Sequence, residues 1–330
     1  MKKNSKIYIS FIVMIAALAV MFLVAINLGS IKVSFTELLH GLFVEYNSNV
    51  ATIYDLRFPR ILVAMLGGAA FAVSGVLFQA VLKNPLADPG IIGISSGASF
   101  TSVIVTGCFP ALYFYTPMFA CIGGVIAFFL VYTLSWKGGL KPLRIVLVGI
   151  AIDVMFSGLI DAVDTMSGGN QSGVASIVEG NITMKTWDDV RMLAGYVLIF
   201  LVIAFFIAGR CNLLSLEDKT ARAIGVNVGH LRVGVSVVGV ILASIATAVV
   251  GVVGFLGLIV PHIARILVGS NHKVLLPFTA LAGAFTFLLA DTIGRTICAP
   301  YEISASVIMA VLGGPFFIAL LRKSGTTYGN

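Results

Sequence analysis

The sequence predicts an all-α, polytopic membrane protein of about ten transmembrane helices. Apolar residues make up 59% of its 330 positions and charged residues only 11%, against roughly 45–50% and 25% in soluble domains. Mean hydropathy is +1.06, and apolar runs of about 17–24 residues, each near the length a bilayer core requires, recur from end to end. Residues 1–330 read as one transmembrane domain with no soluble domain attached.

The elements follow in order. Lys2, Lys3 and Lys6 precede the first apolar run, 7–28. It is longer than a signal-peptide core and has no A-x-A site before Ser30, so a retained helix is expected. Further spans fall at 61–82, 91–108, 112–135, 143–163, 192–208, 232–252, 254–268, 275–297 and 303–321. The span at 254–268 is short and carries Pro261, which points to a broken or steeply tilted helix.

Charge sets the orientation. With ten spans and the N-terminus inside, fifteen of the 21 Lys and Arg residues fall on the cytoplasmic side, among them Lys83, Arg210, Lys219, Arg222, Arg232, Arg265 and Lys273. The positive-inside rule then places both termini in the cytoplasm of a bacterial cell membrane. The formal charge of +7 is spread thinly between apolar runs, so no basic stripe for nucleic acid is expected. Cys108, Cys121, Cys211 and Cys298 form no CxxC pair, and neither a disulfide nor a metal site is expected of them.

Catalytic patterns are missing. There is no HExxH, GxSxG or Walker A run, and His40, His230, His262 and His272 are far apart, so an intramembrane enzyme is a minor reading. Two hydrophilic stretches, 29–60 and 164–191, face outward and the longest inner connection is 209–232. That leaves no room for a nucleotide-binding or solute-capturing domain, so energy must come from an ion gradient or from a partner.

An internal repeat is suggested. A shift of 176 residues aligns Ala70, Ala72, Val73, Gly75, Val76 and Pro85 with Ala246, Ala248, Val249, Gly251, Val252 and Pro261, while a shift of 164 aligns Gly90–Gly93 with Gly254–Gly257. Such a repeat relates spans 2–5 to spans 7–10, and the odd offset of five inverts the second half, as in many transporters.

Four features stand out. The turn Asn84-Pro85-Leu86-Ala87-Asp88-Pro89 cannot close into a helix and reads as a gate at the inner mouth or as an ordinary turn. The stretch from Ser215 to Gly225, with Glu217, Asp218 and Ala221 between them, predicts a short surface helix, Ser215 as N-cap and Gly225 as C-cap. It is either a knob for another protein's groove or a plain interfacial helix. Arg57, Arg60 and Arg295 run against the charge bias, and either receive carboxylates of a docking protein or pair with Asp55, Asp291 or Glu302. Asp153, at mid-membrane, lines a pathway or bonds a neighbouring helix.

Taken together, Leu56-Arg57-Phe58-Pro59-Arg60, Ser74–Gln79, Asn84–Pro89, Gly93–Gly97, Phe255–His262 and Ala290–Arg295 resemble the FecCD-type permeases of ABC importers. The resemblance runs from about Ile31 to Arg322. It implies a type II importer architecture, paired as a homodimer or a paralogous heterodimer in the lipid bilayer. It implies two ATPase subunits inside, which would hold ATP and Mg, and a solute-binding protein outside, with no cofactor on this chain. By the same resemblance, Arg57, Arg60 and Arg295 receive the binding protein, Asn84–Leu86 help form the cytoplasmic gate, and Ser215–Gly225 form the coupling helices. Ferric siderophore is the first expected solute, then haem, then cobalamin. The rival from another class is an ion-coupled secondary transporter using Asp153.

Overall fold

The computed structural model describes residues 2–28, 53–135, 142–166 and 180–325. Lys137, Lys141 and most of the two expected outer stretches lie outside them. Eleven α-helices make up the described residues, which contain no strand: α1 (Lys2–Asn27), α2 (Phe58–Leu82), α3 (Ile94–Cys108), α4 (Thr116–Ser135), α5 (Pro142–Met166), α6 (Trp187–Leu214), α7 (Asp218–Ala223), α8 (Val228–Val250), α9 (Leu256–Val268), α10 (His272–Ile297) and α11 (Ala305–Gly325). A π-helical turn, Ile53–Arg57, leads into α2, and a 3-10 turn, Pro110–Tyr115, leads into α4.

Each expected span coincides with a helix, and α7 is the short helix expected beyond them. By length and composition seven helical segments can each cross a membrane, while α3, α9 and α11 are apolar but shorter. The largest boundary difference is α6, expected at 192–208. A capping box between Thr186 and Asp189 starts it at Trp187, so its charged first turn belongs to the helix although it lies outside the apolar window. Similarly, Asn227 caps the first turn of α8 through the His230 N–H at 3.2 Å, so that α8 begins at Val228, four residues before the expected span.

Small residues decide how the helices meet. A Cβ on Gly68 would lie 2.4 Å from the Gly283 carbonyl oxygen, and one on Gly75 2.0 Å from that of Gly257. Thus α2 touches α10 and α9 backbone to backbone, the close approach that Gly permits in membrane helices. A Cβ on Gly124 would likewise lie 2.0 Å from Ser244 Oγ, between α4 and α8. Ser244 is the residue that the 176-residue shift places opposite Gly68. The wider packing is reciprocal too: α2 packs on α8, α9 and α10, whereas α8 packs on α2, α3 and α4. The bundle therefore carries the paired arrangement that the repeat suggested, with α2 and α8 at its centre.

The bundle has two distinct ends. At one, the C-terminus of α1, the start of α2, the C-terminus of α10 and the residue pairs Tyr54–Trp187 and Tyr113–Asp189 come together. At the other lie the C-termini of α2 and α6, α7 and the start of α8. They are called the Arg60 end and the Lys83 end below. Arg57, Arg60 and Arg295, expected on the outer side, stand at the first, and Lys83 and Arg232 of the inner set at the second.

Candidate functional site

At the Lys83 end, α2 stops because Lys83 takes a left-handed conformation (φ 49) and the prolines at 85 and 89 prevent a helical continuation. The chain then folds through residues 83–93, and several of its polar groups are bonded locally. Asn84 Oδ1 accepts the Leu86 N–H at 3.0 Å, and Asp88 Oδ1 accepts the Gly90 N–H at 2.8 Å. From inside α2, the Gln79 amide donates to the carbonyls of Ala87 (3.2 Å) and Gly257 (3.1 Å), and Arg265 of α9 donates to the Gln79 side-chain oxygen. The turn expected to be a gate is thereby clamped to α9, the helix with Pro261.

Asp88 sits at the centre of this clamp and is 1% exposed. Its carboxylate faces the first turn of α9, where a Cβ on Gly257 would come within 2.8 Å of Oδ2. Phe255, which precedes α9, offers no side-chain cap, so Asp88 supplies negative charge to that helix N-terminus from the other half of the chain. Burial pushes its carboxyl up to about 6, and the N–H groups of Gly90, Ile91 and Gly257 oppose that rise.

The surface stretch adjoins this turn. Ser215 is the C-cap of α6 and not the N-cap that the sequence suggested, because α6 runs on to Leu214. Glu217 occupies the N-cap of α7 without a side-chain bond, and Asp218 stands in the first turn. Gly225 (φ 83) ends the helix as expected: its N–H donates to Arg222 O at 3.0 Å and the Val226 N–H to Ala221 O at 3.0 Å, a Schellman pair. Ala221 is buried, while Ser215, Glu217 and Gly225 are exposed.

One carboxylate joins the two segments. Asp218 Oδ1 accepts from Lys83 Nζ at 2.9 Å and from Arg232 Nη2 of α8 at 2.9 Å, and Lys83 Nζ also donates to the Leu216 carbonyl at 2.5 Å. The hydrogen bond from Lys83, together with the charges of Arg232 and Lys83, holds the Asp218 carboxyl below its ordinary range against slight desolvation. The short helix is thus linked through one residue to the turn that follows α2 and to α8. Neither Lys83 nor Arg232 stands out in the sequence as a site residue. A basic residue beside the turn and an acid in the surface helix were visible in the sequence, but their proximity was not.

The arginines at the other end are already engaged. Arg60 donates to Asp291 from Nε (3.0 Å) and Nη2 (2.8 Å) and to Glu302 from Nη1 (2.8 Å). Its side chain is 11% exposed and that of Asp291 1%. Thr183 adds a hydrogen bond to Glu302 at 2.9 Å. Burial pushes the Glu302 carboxyl up, but bonding to Arg60, with Thr183 and Arg295, outweighs it and holds the group below its usual range. Arg57 Nη1 donates to Ile26 O and Arg295 Nη2 to Ala25 O, both at 2.6 Å. These two cations therefore cap the C-terminus of α1, the negative end of its dipole. The intrachain pairing that the sequence left open is formed at Arg60, with Asp291 and Glu302, and also at Arg295, whose Nε lies 3.8 Å from Asp291.

Asp153 stands apart from both clusters. It is half-buried on α5. No group of three or more potential metal ligands occurs among the described residues.

Residues 17–323 match the FecCD transport family. The chain is 40% identical over 324 residues to the "Probable heme-iron transport system permease protein IsdF" of Staphylococcus aureus strains MSSA476 and MW2, covering 98% of this chain and 98% of each relative. Among solved structures, it superimposes with a TM-score of 0.79 on an inward-facing conformation of a metal-chelate type ABC transporter, at 29% identity and over 96% of this chain and 99% of that one. A second match, PsaBC from Streptococcus pneumoniae in complex with Fab, has a TM-score of 0.59 at 17% identity, covering 87% and 95%, and speaks to fold alone. The chain belongs to the FecCD transport family: it is a multi-pass membrane permease, a transport component rather than an enzyme.

Proposed function

We propose that this chain is the translocating subunit of an ATP-driven importer of haem iron, and that Asp218 carries the drive from its ATPase partner to the gate turn. The observation that carries this reading is the bridge from Asp218 to Lys83 and Arg232. A force applied to the exposed face of α7 reaches Lys83, the left-handed hinge at the end of α2, without passing through the membrane core. From there it reaches Asn84–Leu86 and, through Gln79 and Arg265, α9. Haem is preferred to ferric siderophore or cobalamin because of the 40%-identical haem-iron permeases.

In this reading the Lys83 end and both termini face the cytoplasm, and two such chains, or this chain and a paralogue, enclose the pathway. Two ATPase subunits hold ATP and Mg below, seated on Ser215–Gly225, and a solute-binding protein docks at the Arg60 end. Arg57 is the foremost docking residue, since a partner's carboxylate binds a guanidinium more strongly than the neutral carbonyl it now holds, and Arg295, already within 3.8 Å of Asp291, stands beside it. Arg60, held by two carboxylates, is their frame. ATP acts by binding one conformation better than the other.

The test is haem uptake into proteoliposomes holding the chain and its ATPase partner, with haem-loaded binding protein outside. Stimulated ATP hydrolysis and uptake are expected, with both lost in Gly225→Trp, whose side chain strains the φ 83 cap. Uptake driven by a proton or Na⁺ gradient without the ATPase would replace this reading by secondary transport through Asp153. Stimulation by a ferric-siderophore-loaded protein alone would change the cargo and leave the mechanism.

A further inference from the structure

A groove of about 420 Å³ opens between α6 and α8 near the Lys83 end, lined among others by Ile207, Arg210, Leu213, His230, Leu231 and Gly234. We propose that it is a binding site for one anionic phospholipid of the adjoining leaflet, its phosphate at Arg210 and His230 and an acyl chain along the two helices. This site is separate from the gate and from the bridge at Asp218, and its test needs no transport.

Sequence spacing aligns the groove with the bilayer. On α6, Ile199, Ile203, Phe206, Arg210 and Leu213 follow a 4-3-4-3 spacing and so form one stripe of the helix. On α8, His230, Gly234, Val237 and Ile241 do the same. Phe206 is 84% exposed, Ile199 59% and Val237 44%, so an apolar track continues from the groove along both helices. At its mouth the chemistry changes sign: Arg210 and His230 are exposed, and their side chains make no hydrogen bond or ion pair among the described residues. Among the described residues no carboxylate lines the groove, and the nearby Asp218 is already held by Lys83 and Arg232. A cationic mouth above an apolar track matches the two parts of an anionic lipid, each Lys or Arg near a membrane surface attracting acidic headgroups.

Gly234 gives the shape. A Cβ there would meet nothing within 4 Å and its φ is not positive. Unlike Gly68 or Gly75, it permits no helix contact; it leaves space. A large side chain at 234 fills the groove without forcing the helices apart.

The test is native mass spectrometry of the chain released from nanodiscs of phosphatidylcholine containing phosphatidylglycerol. One phosphatidylglycerol per chain is expected to remain bound, with retention falling about fivefold in Arg210→Gln from the loss of one surface charge, and about tenfold or more in Gly234→Trp. A second readout does not depend on those side chains. Maleimide labelling of Gly234→Cys in vesicles should slow when phosphatidylglycerol replaces phosphatidylcholine. Equal retention of phosphatidylcholine, retention unchanged in both variants, or protection of the introduced thiol that appears only when the ATPase is added would overturn the proposal; the last would assign the groove to the ATPase.

Discussion

The two ends of the bundle each hold a carboxylate gripped by two basic groups or the converse, yet the clusters differ in one physical variable, access to water. At the Arg60 end, Arg60 and Asp291 are almost completely enclosed. At the Lys83 end, Lys83 and Asp218 are each more than a third exposed, at 35% and 37%. A dry pair is costly to break, because separation leaves a buried charge uncompensated. A wet pair exchanges its partners for water at little cost. The first arrangement suits a frame and the second a joint that must be made and remade in each cycle.

The contrast can be broken most directly at Asp291. Replacing it in Asp291→Asn leaves Arg60 buried with Glu302 alone, and should lower stability by about 3 kcal/mol, read from thermal unfolding in detergent. A loss below about 1 kcal/mol would mean that water reaches Arg60 and that the two ends do not differ in kind.

Asp88 sharpens the comparison because it is a dry acid at the wetter end. Its folded value of about 6 lies above the ordinary carboxyl value, so the folded state holds the proton more tightly than the unfolded chain. The penalty for charging Asp88 is absent below about pH 4 and complete above about pH 6. Wild type relative to Asp88→Asn should therefore lose roughly 2–3 kcal/mol of stability as pH rises across that window. Comparing the two proteins cancels the opposite slopes of Asp218 and Glu302. A flat difference would show that Asp88 is hydrated.

Asp218→Asn should behave in the reverse way to Asp291→Asn. Stability should change by less than about 1 kcal/mol, while uptake per ATP hydrolysed falls about tenfold, a loss equivalent to about 1.4 kcal/mol of coupling. If stability and coupling fell together, the bridge would be a structural contact rather than a joint. The smallest effect is that of salt. Raising ionic strength from about 0.05 to 0.5 M shortens the screening length several-fold and should weaken coupling by about twofold in wild type but not in Asp218→Asn, with unfolding at the Arg60 end unchanged.

The fold was legible wherever hydrophobicity alone decides. The ten apolar helices follow from apolar runs, seven of them long enough to cross a membrane among the described residues, and Gly225 followed from the backbone needed to end a short helix. Gly68, Gly75 and Gly124 make close contacts with Gly283, Gly257 and Ser244, pairings that no stretch of sequence reveals. Errors arose at polar helix ends. The first turn of α6 carries Asp188, Asp189 and Arg191, which an apolar window discards, and Ser215 looked like a cap for α7 because nothing in the sequence showed α6 continuing to Leu214.

The sequence by itself determined that this chain crosses a membrane repeatedly, which side its charges favour, and which segments resist helix formation, because these depend on composition and on local backbone preference. Only the tertiary structure decided that Arg60 is spoken for by Asp291 and Glu302, and that Asp218 reaches Lys83, 135 positions away in the chain. An ion pair forms where two helices happen to bring opposite charges within about 4 Å. That distance is set by the packing of every helix between them and is written in no single stretch of chain.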